Sequence, residues 1–267
     1  MNTSSPTSLR PVRRLTHLFY LLYSLTSYLL FLVTTLYLIG FLGRLLVPRH
    51  IDSGPQSPLA ISIVVDILLV TLFGLQQSIM ARKGFKAWLT RVIPAAIERA
   101  TYVLCSSLAL ALLLYAWRPI ALPVWSVESP ALGAVLTGLF WLGWGLVLLA
   151  TFLISHFELF GLKQAIRAFQ DIQPKPSGFL TPSLYKVVRH PMYLGFLIAF
   201  WATPVMSVGH LLFALTSSVY ILIGAHLEEK DLVSAFGRQY LDYQQRVGML
   251  LPFRKAARAA NNRKKTP

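Results

Sequence analysis

The stretch that decides the fold opens with Arg189-His190-Pro191-Met192-Tyr193-Leu194-Gly195 and closes, after two apolar runs at residues 192 to 206 and 211 to 225, on Glu228-Glu229. Fifteen residues of helix rise about 22 Å, against an apolar slab of about 30 Å. The spacing therefore suits a short helical hairpin that needs its flanks or a thinned bilayer to cross, and predicts that both polar clusters surface on the same side of a membrane. Pro191 suits the first turn of a helix, where a missing N–H removes no bond. That turn also offers free backbone donors and a positive dipole end to an anion, so a charged cofactor is expected there. Two adjacent acids at the end of a short apolar helix oppose its dipole unless the helix continues, and they carry a desolvation cost if drawn into the bundle.

Working outward, 55% of the 267 residues are hydrophobic, 13% are charged and the mean hydropathy is +0.58. A soluble domain is far more polar. Further apolar stretches run at about 17 to 43, 59 to 80, 100 to 116 and 132 to 154. The expected fold is all-α: a polytopic membrane helical bundle of five to six transmembrane helices, the last two a short helical hairpin. Lysine and arginine cluster before the first stretch, between the second and third, between the fourth and fifth, and after the sixth; the opposite side keeps Arg44, Arg49 and Arg118. By the positive-inside rule this assigns both termini and the two polar clusters to the cytoplasm, in a bacterial inner membrane. The net charge of +15 is thus topological, and its spread over four segments argues against nucleic acid. The basic tail from Arg254 suits anionic lipid or plain solvation.

Arg10, Arg13 and Arg14 precede an apolar run too long for a signal peptide and without a small-residue cleavage site, which predicts a retained helix. Cys105 is the lone cysteine, so no intrachain disulfide forms, and the six histidines carry no metal motif; no metal is expected. The chain is expected to be one domain, with residues 1–150 as N-terminal transmembrane helices, 151–253 as a cofactor-binding catalytic region and 254–267 as a basic tail. No obligate protein partner is evident. The segment from Ser155 to His190, with the breaker run Pro174-Lys175-Pro176-Ser177-Gly178, is expected to be a lid or a site-building connection.

The string from Gly178 through Leu184-Tyr185-Lys186 to Arg189-His190-Pro191-Met192-Tyr193-Leu194-Gly195, followed by Glu228-Glu229, Phe236-Gly237, Tyr240, Tyr243 and Leu251-Pro252, resembles the isoprenylcysteine carboxyl methyltransferase superfamily. The strings Ser155-His156-Phe157-Glu158-Leu159-Phe160-Gly161-Leu162, Ala199-Phe200-Trp201-Ala202-Thr203-Pro204 and Gly209-His210-Leu211-Leu212-Phe213-Ala214 are more similar still to the methanethiol S-methyltransferases, which also resemble the NnrU group of membrane proteins. The resemblance covers about residues 150 to 253. It implies transfer of a methyl group from S-adenosyl-L-methionine to methanethiol, releasing dimethyl sulfide and S-adenosyl-L-homocysteine, with Arg189, His190, Pro191, Tyr193, Gly195, Glu228 and Glu229 binding the cofactor. Tyr240, Tyr243 and Arg246 are implied as wall residues.

The residues themselves are compatible with that chemistry. The turn at His190 to Tyr193, aided by Arg189, suits a carboxylate; Glu228 and Glu229 suit an ammonium or ribose hydroxyls; Tyr193, Tyr240 or Tyr243 suits an adenine or a sulfonium. Small thiols are mostly protonated near neutrality, so the acceptor needs a base or a cationic neighbour. His156 is the candidate base, with Glu158 orienting it or replacing it, while Arg246 or Arg189 lowers the thiol pKa by charge. Phe157, Phe160, Phe200 and Trp201 are candidates for an apolar acceptor pocket reached through the lipid bilayer. Asp66 stays unassigned. The competing readings are a methyltransferase acting on another thiol, a prenylcysteine carboxylate or a phospholipid; a sterol-type reductase using NADPH; and a non-enzymatic NnrU-like membrane protein.

Overall fold

A computed structural model describes residues 9–172 and 181–252. The breaker run at 174–178 and the basic tail from Arg254 lie outside the described residues. Five helices are long and apolar enough to cross a membrane: α1 (Leu9–Gly43), α2 (Leu59–Ala81), α4 (Ala95–Ala116), α5 (Pro130–Ile154) and α9 (Val208–Phe236). Between and beyond them lie α3 (Lys83–Val92), α6 (His156–Leu159), α7 (Leu162–Phe169), α8 (Pro191–Trp201) and α10 (Arg238–Arg246). The protein is the expected all-α polytopic bundle. The long helices turn large apolar side chains outward, the mark of a helix whose solvent is lipid. On α2, Leu68, Leu72, Leu75 and Ile79 point outward while Asp66, Val70 and Gly74 are buried.

The final hairpin is asymmetric, which corrects the expectation of two short helices. α8 has 11 residues, whereas α9 has 29 and runs straight through Glu228-Glu229. Hydropathy stops at residue 225, but the helix continues through Lys230 to Phe236, and the acids therefore do not sit on its C-terminal dipole. It ends at Gly237, whose φ of +55° favours a residue without Cβ. A two-stranded antiparallel ribbon, Pro123–Ser126 against Val205–Ser207, joins the α4–α5 and α8–α9 connections at the far end of the bundle. There Trp125 Nε1 donates to the Thr203 carbonyl at 3.1 Å, and Ser207 Oγ caps α9 by accepting from the His210 N–H at 3.1 Å.

Asp66 is fully buried and accepts the backbone N–H of Arg118 at 2.9 Å, which ties α2 to the chain just past the end of α4. The opposite, basic end gathers α2 and α9 through Arg82 and Asp231 at 3.6 Å and α1 with the segment after α7 through Arg13 and Asp171 at 2.6 Å. The core lies along the axis, with Phe41, Trp117, Trp144, Phe200 and Phe213 meeting mostly edge to face. α5 and α8 approach backbone to backbone: a Cβ on Gly143 would stand 2.7 Å from the Gly195 carbonyl, and one on Gly195 would stand 2.7 Å from the Gly143 carbonyl.

Candidate functional site

The site is assembled where α8 begins. Val188 forms a parallel bridge with Gly248, and the N–H groups of Arg189 and His190 donate to the carbonyls of Gly248 at 2.9 Å and Met249 at 3.0 Å. This pins the residues before Pro191 to the chain beyond α10 and aims the Arg189 guanidinium inward. Its Nε donates to Glu229 Oε1 at 2.6 Å, and its Nη1 donates to the carbonyls of Gln244, at 3.1 Å, and Val247. Glu229 Oε1 also meets His190 Nε2 at 3.2 Å, and its Oε2 accepts from Gln244 Nε2 at 3.0 Å. The Arg189 and Glu229 side chains are 10% and 11% exposed, so this clasp is dry and largely saturated.

Glu228, one residue earlier, is 47% exposed and faces elsewhere. Its Oε2 accepts the Tyr193 hydroxyl at 2.8 Å and lies 3.7 Å from His190 Nδ1. The His190 and Tyr193 rings stack at 5.2 Å and 17°. His190 is the N-cap of α8 without a side-chain capping bond, so the first-turn donors keep an anion-accepting character beside a carboxylate that is open to solvent.

Tyr240 and Tyr243 belong to the packing of α10 rather than to an open wall: they are 1% and 6% exposed, with ring centroids 5.7 Å apart. The Tyr243 hydroxyl donates to the Tyr185 carbonyl. Burial pushes the Tyr185 and Tyr240 hydroxyls up, and Tyr243 to about 12, so all three stay neutral. Gly195 lies in the α5–α8 contact and serves helix approach. Arg246 is exposed on the last turn of α10, its Nε donating to the Asp242 carbonyl at 3.2 Å. Behind Glu229, a hollow of about 230 Å³ is lined by His226, Lys230, Val233 and Gln244.

His156 and Glu158 form a separate group. His156 Nε2 meets the Tyr28 hydroxyl at 2.8 Å and Nδ1 meets Thr151 Oγ1 at 2.8 Å, with Phe152 stacked on the ring at 4.3 Å. The Thr151 hydroxyl already donates to the Leu148 carbonyl at 2.7 Å, so it accepts from Nδ1–H, and Nε2 accepts from Tyr28. Burial lowers the His156 pKa, in keeping with this neutral tautomer. Glu158 pairs with Lys163 and Arg167 at 3.0 Å each, and the Lys163 bond foremost lowers its pKa. These bonding partners lie on α1, α5 and α7, not on the α8–α9–α10 clasp.

The four aromatic residues expected around one acceptor pocket divide between two places. Phe160 stacks on Phe31 of α1 at 4.1 Å, with Phe157 nearby against Tyr28. Phe200 is in the core against Trp144, and Trp201, at the far end of α8, donates to Ser218 Oγ at 2.9 Å. Two tyrosines without a motif of their own also join the helices around Glu228: the Tyr102 hydroxyl of α4 donates to Gln77 Oε1 of α2, and the Tyr220 ring of α9 packs over Gly74 of α2. Their signal is a four-residue spacing, Tyr220–Gly224–Glu228 on α9 and Glu98–Tyr102 on α4, visible in the sequence but silent on which helices face each other.

Residues 88–247 match the family described as "Protein of unknown function (DUF1295)". A methanethiol S-methyltransferase of Pseudomonas sp. (strain GM41(2012)) is 62% identical over 88% of this chain and 90% of its own length. One of Pseudomonas deceptionensis is 61% identical over 94% and 96%, and methanethiol S-methyltransferase 1 of Bradyrhizobium diazoefficiens is 49% identical over 88% and 82%. No solved structure matches.

Proposed function

The chain belongs to the family of the methanethiol S-methyltransferases, and from that premise we propose that it methylates methanethiol to dimethyl sulfide with S-adenosyl-L-methionine as methyl donor. The acceptor is drawn from the relatives' names. Support for the donor comes from Glu228. This carboxylate is half open, with His190 Nδ1 at 3.7 Å. It stands beside the uncapped first turn of α8, so a cation-accepting and an anion-accepting group lie next to each other. That juxtaposition matches the amino-acid end of S-adenosyl-L-methionine, which carries an ammonium and a carboxylate on one carbon. When bound, S-adenosyl-L-methionine supplies an electrophilic methyl group.

In this reading Glu228 takes the ammonium or the ribose diol, the α8 turn takes the carboxylate, and the stacked His190 and Tyr193 rings offer a face to adenine or sulfonium. Arg189 and Glu229 neutralise each other and hold the turn in position. Tyr240 and Tyr243 back that clasp, and Arg246 adds positive potential at its mouth. His156 and Glu158 shape the junction of α1, α5 and α7; with both imidazole nitrogens engaged, His156 supports the site rather than taking the thiol proton. Methylation forms the new carbon–sulfur bond as the methyl–sulfonium bond breaks and releases the thiol proton, which leaves to solvent at the open side of the site by Glu228; beyond that the transfer depends on alignment and positioning. Both termini and the site face the cytoplasm of a bacterial inner membrane, as the basic loops suggest.

The test is to incubate purified protein with S-adenosyl-L-methionine and methanethiol and to follow dimethyl sulfide in the headspace, with binding of S-adenosyl-L-homocysteine and of NADPH measured alongside. Dimethyl sulfide formation with binding of the former is expected. Binding of NADPH alone would favour a reductase and overturn this reading.

A further inference from the structure

Three helical stripes outside the Arg189–Glu229 clasp converge near Glu228. On α9, Tyr220, Gly224 and Glu228 recur every fourth residue, and on α4 so do Glu98, Tyr102 and Ser106, which puts each set along one helix face. The α2 stripe holds Gly74, Gln77 and Ser78. The stripes touch. The Tyr220 ring packs over Gly74, its nearest atom 2.8 Å from where a Cβ would stand, and its hydroxyl bonds Ser78. The Tyr102 hydroxyl donates to Gln77, with the Arg99 guanidinium 4.7 Å over the ring. The Tyr193 hydroxyl bonds Glu228 on the same α9 stripe at 2.8 Å.

Space is open on the α9 stripe itself. A Cβ at Gly224, midway between Tyr220 and Glu228, would meet nothing within 4 Å. On the α4 stripe, Glu98 Oε1 is buried without a hydrogen-bond partner among the described residues. An unsatisfied polar atom inside a lipid-embedded bundle is costly, and a small ligand with a weak donor relieves that cost.

We propose that the cleft between α2, α4, α8 and α9 is the acceptor subsite, binding a small neutral thiol against the Tyr102 and Tyr220 hydroxyls, with the room left by Gly224 setting the size of the acceptor. The inference rests on the methanethiol reading above and adds to it where the acceptor binds and what limits it. A phenol oxygen accepts from the S–H, and its own hydroxyl remains bonded to Gln77 or Ser78. The adjoining Glu228 and α8 turn put the proposed donor site at the cleft's edge. Gly74 takes part indirectly, because any side chain there displaces the Tyr220 ring.

The test compares wild type, Tyr102→Phe, Tyr220→Phe, Gly224→Ala and Gly224→Leu as purified full-length proteins. Each is measured for S-adenosyl-L-homocysteine affinity, thermal midpoint, and kcat/KM with methanethiol and with ethanethiol. The Tyr→Phe variants and Gly224→Leu are expected to lose about tenfold or more in kcat/KM for methanethiol, with donor-product affinity and midpoint unchanged. Gly224→Ala is expected to raise the methanethiol to ethanethiol preference by about tenfold, a shift that a merely structural role would not produce. Unchanged kcat/KM and preference in all four variants, or losses matched by equal losses of S-adenosyl-L-homocysteine affinity, would overturn the assignment. A wild type that binds S-adenosyl-L-homocysteine yet forms no dimethyl sulfide would instead overturn the underlying reading, and the subsite with it.

Discussion

Glu228 and Glu229 are neighbours in the chain but about 100° apart around α9, and that rotation gives them different work. Glu229 turns to Arg189 in a dry clasp, while Glu228 turns to Tyr193 and solvent. Removing one partner of a buried pair strands the other charge, so Glu229→Ala should lower the unfolding free energy by about 3 kcal/mol, measured by unfolding in detergent. Glu228→Ala, at a half-exposed position, should cost less than about 1 kcal/mol. A comparable loss in both would mean that the two acids share one structural role. His156 supplies a pH test. It is neutral in the folded protein with its pKa depressed by burial, so the unfolded chain binds the extra proton first. Stability is therefore full above the ordinary imidazole value of 6.5 and falls as the pH drops below it. His156→Gln should flatten that fall, and an identical pH profile in the variant would refute the assignment of neutral His156.

At the scale of elements, α5 and α8 approach backbone to backbone, where Gly143 and Gly195 leave no room for a side chain. Gly195→Val should overpack this contact and cost about 1–3 kcal/mol, read as a lower thermal midpoint, because backbone atoms there have no rotamer to yield. An unchanged midpoint would show that α8 shifts freely, against the close packing described. The elements were unequally legible in the sequence. α1, α2 and α5 follow from hydropathy alone, since long apolar runs have one viable conformation in lipid. The end of α9 does not, because hydropathy cannot see that Glu229 is neutralised by an arginine forty positions earlier. α3 is an amphipathic helix with Phe85 and Trp88 rings 5.3 Å apart and no buried residue, and it escapes a search tuned to transmembrane length. The ribbon between Pro123–Ser126 and Val205–Ser207 is a long-range pairing with no local signature.

Across the whole molecule, alternation of helix direction brings residues 189 to 193 and 228 to 229 to one end, and that much was legible because every crossing reverses the side. Which side chains then meet was not. The nitrogen of His156 is claimed by Tyr28, 128 residues away, and the phenols near Glu228 come from three different helices. The topology predicts that a membrane-impermeant maleimide labels Gln56→Cys in intact cells but reaches Lys83→Cys after permeabilisation. Cys105, half-buried within α4, should give little background. The reverse pattern would turn the bundle over. The central claim is that the open carboxylate beside the α8 turn holds the methyl donor, and equilibrium binding of S-adenosyl-L-homocysteine to purified wild type and Glu228→Gln tests it most directly. The account predicts binding weakened by about tenfold or more in the variant at an unchanged thermal midpoint; equal affinity in the two proteins would contradict it.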